Sequence, residues 1–411
     1  RPAITLALIK KNAQNADRGN KYRPVSVELI ALLAVSCTFF LFMHTNKLNS
    51  RLKEMEVKLQ PSEFSALGIT GDNHVSGSDA AKHGDINSLH GTYQYLKSTV
   101  TAKLGIFLRQ IDNLTPDTLN NTPKAQVDIV FFNRVPKVGS QTLMTLLKLL
   151  AKQNQFQATR DKLSAIETIM VTLSFEENLI QEILELQEPA AYSKHVAFID
   201  FESNSYPRPI YINLVRDPVE RVISWFYYIR APWYIIDRKR LFPIKYKLPT
   251  VKWLKKSFDT CILEHDPECV YRQNDTDHLS DHRSQVLLFC GQNAKLCMPF
   301  NSYRAMQIAK SNVEKHYAVV GSWEETNITL TVLEQYVPQF FKGAAKLYYQ
   351  DEHLHNVNGN TIRPSVSQKA REVLKRNLTN EIEFFQFCKQ RLYKQYIASS
   401  RGRKLGKGRN Q

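Results

Sequence analysis

Two apolar, β-rich runs in this chain each end in a basic loop that opens a helix, and this repeated pattern constrains the fold most strongly. The first run, QVDIVFFNR from Gln126, leads through VPKVGSQ into a helix with leucines at positions 143, 146, 147 and 150. The second run, PIYINLV over 209–215, leads through RDP into a helix that ends near Ile229. Strands that alternate with helices predict an α/β fold, with helices on both faces of a parallel sheet.

Weaker patterns place the remaining elements. We predict a helical region over 161–187, a strand over 195–201 (HVAFIDF), and amphipathic helices over 328–341 and 366–396. The stretch 238–256 holds eight Lys or Arg residues and is predicted to be a surface loop. The terminal sequence RGRKLGKGRNQ is predicted to be a basic tail without regular structure.

An apolar segment near the start, Val25–Met43, is typical of a membrane anchor. It is 19 residues long and has no charged residue from Leu29 onward, and as a helix it would span about 28 Å. Six basic residues and one acid precede it, so the positive-inside rule places the start in the cytoplasm. A buried core helix and a cleaved signal peptide are the alternatives, although the following HTNKLNSRLK offers no small-residue cleavage site.

The predicted organisation is a cytoplasmic tail over 1–24, an anchor over 25–43, a luminal stem over 44–125, a catalytic domain over 126–397 and a basic tail over 398–411. Within the stem, apolar residues with 4-3-4 spacing predict a short coiled-coil-like helix that would support a homo-oligomer; they are Leu48, Leu52, Met55 and Leu59. The alternative is an amphipathic stem turn, because fewer than two heptads are too short to be stable alone.

Glycosylation sequons and net charge indicate the compartment and the partner. The Asn-x-Ser/Thr triplets all follow the anchor, at Asn113, Asn120, Asn274, Asn327 and Asn377, as expected of a luminal chain. Lys and Arg total 55 against 39 acids, a net charge of +16, which favours a polyanionic partner. Since a luminal protein does not meet DNA or RNA, we expect an acidic glycan.

Two pairs of cysteines lie close together in the sequence, Cys261 with Cys269 and Cys290 with Cys297. In an oxidising lumen these spacings predict two local disulfides. A zinc site formed by the four thiols is the alternative, although the spacings are not those of CxxC sites. Cys388 has no obvious partner.

The loop NRVPKVGSQT, over 133–142, lies at a strand-to-helix junction, which presents backbone N–H groups and a positive dipole end to an anion. The candidate anion ligands are Arg134, Lys137, Gly139, Ser140 and Thr142. Because the GxxxxGK[ST] pattern is absent, this is a phosphate-binding loop of another kind than Walker A, and no metal site is expected. An ordinary capped turn with a solvated lysine is the alternative that the loop alone leaves open.

The second constellation begins at Arg216, which follows an apolar strand at the edge where open α/β sheets bind ligands. Asp217 can cap the next helix and Pro218 suits its first turn. Ser224 lies about two helical turns after Arg216, so the two side chains would hold a second phosphate, with the guanidinium as a bidentate fork. The alternative is an Asp217–Arg221 helix pair beside a surface Arg216.

RVPKVGSQT followed by YINLVRDPVERVIS resembles the Golgi carbohydrate sulfotransferases that use PAPS (3′-phosphoadenylyl sulfate). With CILEHDPEC, FCGQNAKLC and VVGSWEE, the chain is similar to the uronyl and heparan sulfate 2-O-sulfotransferases, and most like the branch of the uronyl enzymes and the insect Pipe proteins. The resemblance covers about 127–396. It implies a P-loop-like sulfotransferase fold, PAPS as donor, a glycosaminoglycan as acceptor, and a type II Golgi membrane protein with a luminal catalytic domain.

The resemblance also implies roles for individual residues. The 5′-phosphosulfate would be held by Arg134, Lys137, Ser140 and Thr142, and the 3′-phosphate by Arg216 and Ser224. His195, in SKHVAFIDF, matches the family's catalytic base. The chemistry agrees, because a sugar hydroxyl needs a base near neutral pKa and Lys137 can stabilise the charge on the leaving phosphate oxygen. We expect His195 to begin a strand at a sheet edge.

Acceptor binding is predicted for a basic cluster that follows the second motif: Arg230, Arg238, Lys239 and Arg240. A solvated loop is the alternative. The chain departs from the heparan sulfate branch at Ser193, where that branch carries a second His, and at Val138 and Gln141, where it carries hydroxyl residues. These departures leave the donor set intact and weigh against heparan sulfate as the acceptor.

Together these observations predict a PAPS-dependent enzyme that sulfates the 2-hydroxyl of uronic acids in a glycosaminoglycan. One alternative is a sulfotransferase for a glycoprotein-borne glycan or another hydroxyl position. Another is a non-catalytic glycan-binding scaffold, against which intact Lys137, His195 and Arg216 argue. A nucleotide kinase is disfavoured by the missing GK[ST] motif and by the predicted luminal topology.

Overall fold

The computed structural model describes residues 115–162, 164, 169–275, 283–352, 354 and 364–407, with side chains to residue 400. All of them belong to one compact unit, His90–Gln411. The predicted anchor, the stem helix and the Asn113 sequon lie outside the described residues. Within the described part of the chain, no helix has both the length and the apolar character that a membrane span requires.

Five parallel strands form one sheet in the order β2-β3-β1-β4-β5. Their bounds are β1 Ile129–Asn133, β2 Gln157–Arg160, β3 Ala190–Lys194, β4 Ile210–Val215 and β5 Tyr317–Ser322. Every residue of β1, β4 and β5 is buried, which is typical of a parallel sheet with both faces covered. The predicted α/β fold with a helix-flanked parallel sheet is confirmed.

The helices follow the strands along the chain. They are α1 Ser140–Asn154, α2 Leu173–Leu184, α3 Pro218–Tyr228, α4 Pro232–Leu241, α5 Val251–Lys255, α6 Phe258–Leu263, α7 Val286–Cys290, α8 Ala294–Cys297, α9 Tyr303–Lys315, α10 Thr326–Tyr336, α11 Pro338–Phe341, α12 Ala344–Gln350, α13 Gln368–Asn377 and α14 Thr379–Lys407. Short 3₁₀ turns occupy Asp117–Leu119, Thr122–Lys124, Pro267–Cys269 and Trp323–Glu325.

The strand predicted over 195–201 is wrong. The strand is Ala190–Lys194, which pairs with β1 on one side and β2 on the other. The following apolar residues are buried but bond outside the sheet, since Ala197 N–H donates to the Ile169 carbonyl and Phe198 N–H donates to the Leu288 carbonyl in α7. The apolar residues of HVAFIDF therefore indicate a buried segment and not a strand of the sheet.

Three further predictions need correction. The helix predicted over 161–187 begins only at Leu173. The predicted surface loop over 238–256 contains the end of α4 and all of α5, whose start is capped by the Thr250 hydroxyl. The terminal tail is helical through Lys407, because α14 continues without a break.

Both predicted disulfides are confirmed. Cys261–Cys269 lies in a small apolar cluster with residues of α3, α6 and α13. Cys290–Cys297 lies in the main core, which surrounds the sheet. The zinc alternative is thereby excluded for these four residues, and Cys388 is a buried free thiol in α14.

Candidate active site

The strand order brings the two predicted phosphate-binding segments to one place. After β1 the chain forms β2 and then β3 on one side of β1, and it then crosses to form β4 and β5 on the other side. The switch point therefore lies between the carboxyl ends of β1 and β4, where open α/β sheets form a ligand crevice. The loop 134–139 follows β1 directly, and Arg216 follows β4 directly.

Backbone geometry makes the loop 134–139 suitable for an anion. Gly139 has a φ of +88° and begins α1 without a side-chain cap, so the N–H groups of the first helical turn are open to an acceptor. A Cβ at Gly139 would lie 2.8 Å from Cγ of Trp323. Glycine is thus required both by its left-handed backbone and by the close approach of the indole.

Lys137 is the cation of this loop. Its Nζ lies 3.7 Å from the ring centroid of Tyr228, on the face of the ring. Burial, and next the positive charge of Arg216, lower the pKa of Lys137 from 10.5 to about 7. A lysine in this state gains charge readily when phosphates approach, because a neighbouring anion favours the ammonium form.

Arg216 joins the two motifs. Its Nη1 donates to the Lys137 carbonyl at 3.1 Å, and the predicted cap after it is confirmed, since Asp217 Oδ1 accepts from Glu220 N–H at 3.0 Å. The backbone of Arg216 is held by the fully buried Gln285, whose Nε2 donates to the Arg216 carbonyl at 3.1 Å and whose Oε1 accepts from its N–H at 3.3 Å.

Gln285 is itself held by a buried carboxylate. Glu381, at the start of α14, accepts from the Ser284 hydroxyl at 2.6 Å and from Gln285 N–H at 2.9 Å. Burial raises the pKa of Glu381, and the charge of Arg221 opposes that rise. Arg221 is fully buried, and its positive charge acts on Glu381.

His195 lies immediately beyond the carboxyl end of β3, not at the start of a strand as predicted. Its Nδ1 is 2.8 Å from the Arg134 carbonyl. Because a carbonyl only accepts, Nδ1 carries the proton and Nε2 keeps its lone pair. Burial and then the charge of Arg134 lower the pKa of His195 well below 6.5, which is below the near-neutral pKa expected of the base. The imidazole is therefore neutral at neutral pH and can accept a proton.

The other four predicted donor ligands are all buried. The Arg134 side chain is buried and its Nη1 lies 2.7 Å from Sδ of Met144. Ser140 and Thr142 are buried in the first turn of α1, and Ser224 is buried in α3.

The predicted basic cluster is not one surface. Arg230 is buried, and its Nη2 donates to both carboxylate oxygens of Glu268, at 2.7 and 2.8 Å. Its guanidinium carbon lies 3.5 Å from the ring centroid of Phe226. These contacts indicate a structural role. Arg238 donates to the Ser164 carbonyl, and Lys239 to the Pro243 carbonyl.

Among the remaining predicted sites, Arg240 is 74% exposed and pairs with Asp237. The described sequon asparagines are exposed at Asn274 and Asn327 and half-buried at Asn120 and Asn377.

Sequence reasoning missed Gln285, Tyr228 and Trp323. Gln285 and Tyr228 lie in apolar or aromatic runs that resemble core, and no local pattern distinguished them. Trp323 stood within VVGSWEE, whose Glu324 accepts from Asp217 N–H at 3.0 Å. That contact places the segment after β5 beside the second motif.

Comparisons with known proteins place this chain in a family. The sequence profile of the Sulfotransferase family matches residues 125–388. The chain is 46% identical to the uronyl 2-sulfotransferase homolog pip of Drosophila melanogaster, over 97% of this chain and 95% of that protein. It is 28% identical to human uronyl 2-sulfotransferase, over 64% of this chain and 62% of that protein. It is also 32% identical to the heparan sulfate 2-O-sulfotransferase hst-2 of Caenorhabditis elegans, over 55% of this chain and 67% of that protein.

Proposed function

We propose that this chain, which belongs to the sulfotransferase family and within it to the uronyl and heparan sulfate 2-O-sulfotransferases, transfers sulfate from PAPS to the 2-hydroxyl of a uronic acid in a glycosaminoglycan. The observation that carries the proposal is the 3.1 Å hydrogen bond from Arg216 to the Lys137 carbonyl. It supports a single donor site built from both motifs at the switch point of the sheet.

The donor site would divide the two ends of PAPS between these motifs. The open N–H groups of α1, with Ser140 and Thr142, fit the 5′-phosphosulfate, since helix N-termini bind anions. Arg216 and Ser224 fit the 3′-phosphate, because a guanidinium makes paired charge-assisted bonds to phosphate oxygens. The buried Arg134 side chain fits a supporting role under the loop.

The transfer step follows from the residues at the sulfuryl end. PAPS supplies an activated sulfuryl group on a phosphosulfate. His195 Nε2 accepts the hydroxyl proton while the sugar oxygen bonds to sulfur and the bond from sulfur to the bridging oxygen breaks. Lys137 stabilises the negative charge that the bridging oxygen gains. The low pKa of His195 keeps the base in its accepting form before the acceptor binds.

Location and assembly are part of the same proposal. The anchor over 25–43, the sequons and the two disulfides support a single-pass type II protein with its catalytic domain in the Golgi lumen. The 4-3-4 apolar spacing over 48–59, which predicts a stem helix, supports a homo-oligomer. Ser193, Val138 and Gln141 favour a uronyl-branch acceptor over heparan sulfate.

The test is a transfer assay with labelled PAPS, the full-length chain in detergent and a panel of desulfated dermatan, chondroitin and heparan. Disaccharide analysis of the labelled product would locate sulfate on the 2-hydroxyl of a uronic acid. We expect Lys137→Ala and Arg216→Ala each to lose most activity, with a larger loss of PAP affinity for Arg216→Ala (PAP is the desulfated donor). The matched control is Lys148→Ala, which alters an exposed lysine of α1, the helix that follows the Lys137 loop.

Three results would contradict the proposal in different ways. Label on another hydroxyl or only on a glycoprotein glycan would replace the acceptor but keep the donor site. Label on no glycan, with PAP still bound, would favour a glycan-binding scaffold. Normal turnover in both variants would remove the donor-site assignment itself.

A further inference from the structure

Four aromatic rings form a cluster where α3 ends and α4 begins, which we call the aromatic wall: Trp225, Tyr228, Trp233 and Tyr234. Tyr228 is its centre, with ring centroids 4.8 Å from Tyr234, 5.3 Å from Trp233 and 5.9 Å from Trp225. The Trp233 ring meets Tyr228 and Tyr234 edge to face, at 75° and 84°. Edge-to-face contacts of this kind fix ring orientation.

The wall stands beside the reacting group of the proposed site. Lys137 Nζ lies on the face of Tyr228, and under the proposed function this ammonium marks the bond that breaks. The sulfuryl group and the adenine occupy opposite ends of PAPS. A surface that touches Lys137 Nζ is therefore near the sulfuryl end of PAPS, where the acceptor binds, and not near the adenine.

Exposure singles out one ring of the wall. Trp233 is 38% exposed, whereas Trp225, Tyr228 and Tyr234 are half-buried. Trp233 lies in the first turn of α4, behind Pro232, so its backbone is held by a helix start. The indole is thus an oriented aromatic surface, open on one side and one ring away from Lys137.

We infer that the indole of Trp233, oriented by Tyr228 and Tyr234, is a stacking platform for a pyranose ring of the acceptor polysaccharide; this rests on the proposed function. A pyranose presents apolar C–H groups on its faces and places carboxylate and hydroxyl groups around its edge. An acidic polysaccharide therefore needs a flat apolar surface for its rings and cations for its substituents. Beyond Trp233 the chain supplies exposed basic residues at Arg240, Lys245 and Lys247.

The test uses the full-length chain in detergent, steady-state transfer to the best desulfated glycosaminoglycan of the panel, and the variants Trp233→Ala and Trp233→Phe. The control is Ile236→Ala, which alters a 65% exposed residue of the same helix outside the aromatic wall. We expect Trp233→Ala to raise the acceptor KM on the order of tenfold, the scale of a lost stacking contact. Trp233→Phe should recover most of it, and the control should behave as wild type. The KM for PAPS and the Kd for PAP should not change, and thermal unfolding with PAP shows whether each variant is folded.

Other results would overturn the inference. An acceptor KM within twofold of wild type in Trp233→Ala would show that no sugar stacks there. A fall in PAP affinity without a change in acceptor KM would show that the aromatic wall binds the adenine of the donor. An equal effect of Ile236→Ala would assign the effect to α4 as a whole. If the wild type sulfates no glycan, the proposed function fails separately, and binding of wild type and Trp233→Ala to immobilised desulfated dermatan still decides the platform: equal binding overturns it.

Discussion

Raising the pH from 7 to 9 should weaken PAP binding through Lys137 alone. Without donor, burial and Arg216 hold the pKa of Lys137 at about 7. Phosphate oxygens beside the ammonium stabilise its charged form and raise that pKa in the complex. Above pH 7, PAP binding must therefore be accompanied by proton uptake. The affinity for PAP is highest below the pKa that Lys137 has in the protein without PAP, and it falls as the pH rises through that pKa.

The size of this effect follows from the free pKa. If Lys137 is fully charged in the complex, the apparent Kd scales with one plus the ratio of neutral to charged lysine in the free protein, and it rises about 50-fold between pH 7 and pH 9. At pH 8 binding should take up about 0.9 proton. The PAP phosphates and His195 add little to this pH dependence, since the phosphates are almost fully ionised above a pKa of about 6 and His195 stays neutral because its pKa lies well below 6.5.

Calorimetric titration with PAP at pH 7, 8 and 9, in two buffers of different ionisation enthalpy, measures both quantities. Lys137→Arg is the control, because a guanidinium keeps its proton throughout this range and its binding should be flat with pH. A Kd that changes less than about threefold in the wild type would refute the reasoning. An equal pH dependence in Lys137→Arg would assign the proton to another group.

Three further predictions concern single side chains. His195→Ala should lower the single-turnover rate on the order of 10²–10⁴-fold with unchanged PAP affinity; near-normal turnover would place the base elsewhere. Gly139→Ala should lower the thermal unfolding midpoint and also the increase in that midpoint that PAP binding produces, because the new Cβ would lie 2.8 Å from Trp323. An unchanged increase with PAP would show that the loop adjusts to the Cβ without losing PAP binding. Arg230→Met should reduce the free energy of unfolding in urea by about 2 kcal/mol, because it removes the buried hydrogen bonds from Arg230 to Glu268 and to the Phe226 carbonyl. Arg240→Ala, at a 74% exposed side chain, should change it by less than about 0.5 kcal/mol.

The parts of the fold that the sequence predicted are those with the strongest local signals. β1 and β4 are continuous apolar runs followed by turn residues, and both were found with their helices. β2 is QATR, a polar strand at the edge of the sheet that the described residues form, where it pairs with β3, and no apolar pattern marked it. β3 was misplaced because AAYSK is less apolar than the buried HVAFIDF that follows it.

The candidate site divides in the same way. Lys137 and Arg216 follow strands and carry motif signals, so the sequence predicted both. Gln285 lies 69 residues beyond Arg216, and its partner Glu381 lies 96 residues further on. Only the packing of α14 against the turn before α7 brings these groups together, and a single sequence holds no record of such contacts.

The backbone of Lys137 shows why the two motifs must be considered as one unit. Lys137 has a φ of +64°, a left-handed conformation that costs a residue with a Cβ about 1–2 kcal/mol. The carbonyl of this same residue accepts the 3.1 Å hydrogen bond from Arg216, and a hydrogen bond from a charged donor contributes about 1.5–3 kcal/mol, enough to offset that cost. Under the proposed function Arg216 therefore has two tasks, to hold the loop in this conformation and to meet the 3′-phosphate. Because Gln285 also holds the backbone of Arg216, the strained loop, the arginine and the buried amide form one hydrogen-bonded structure.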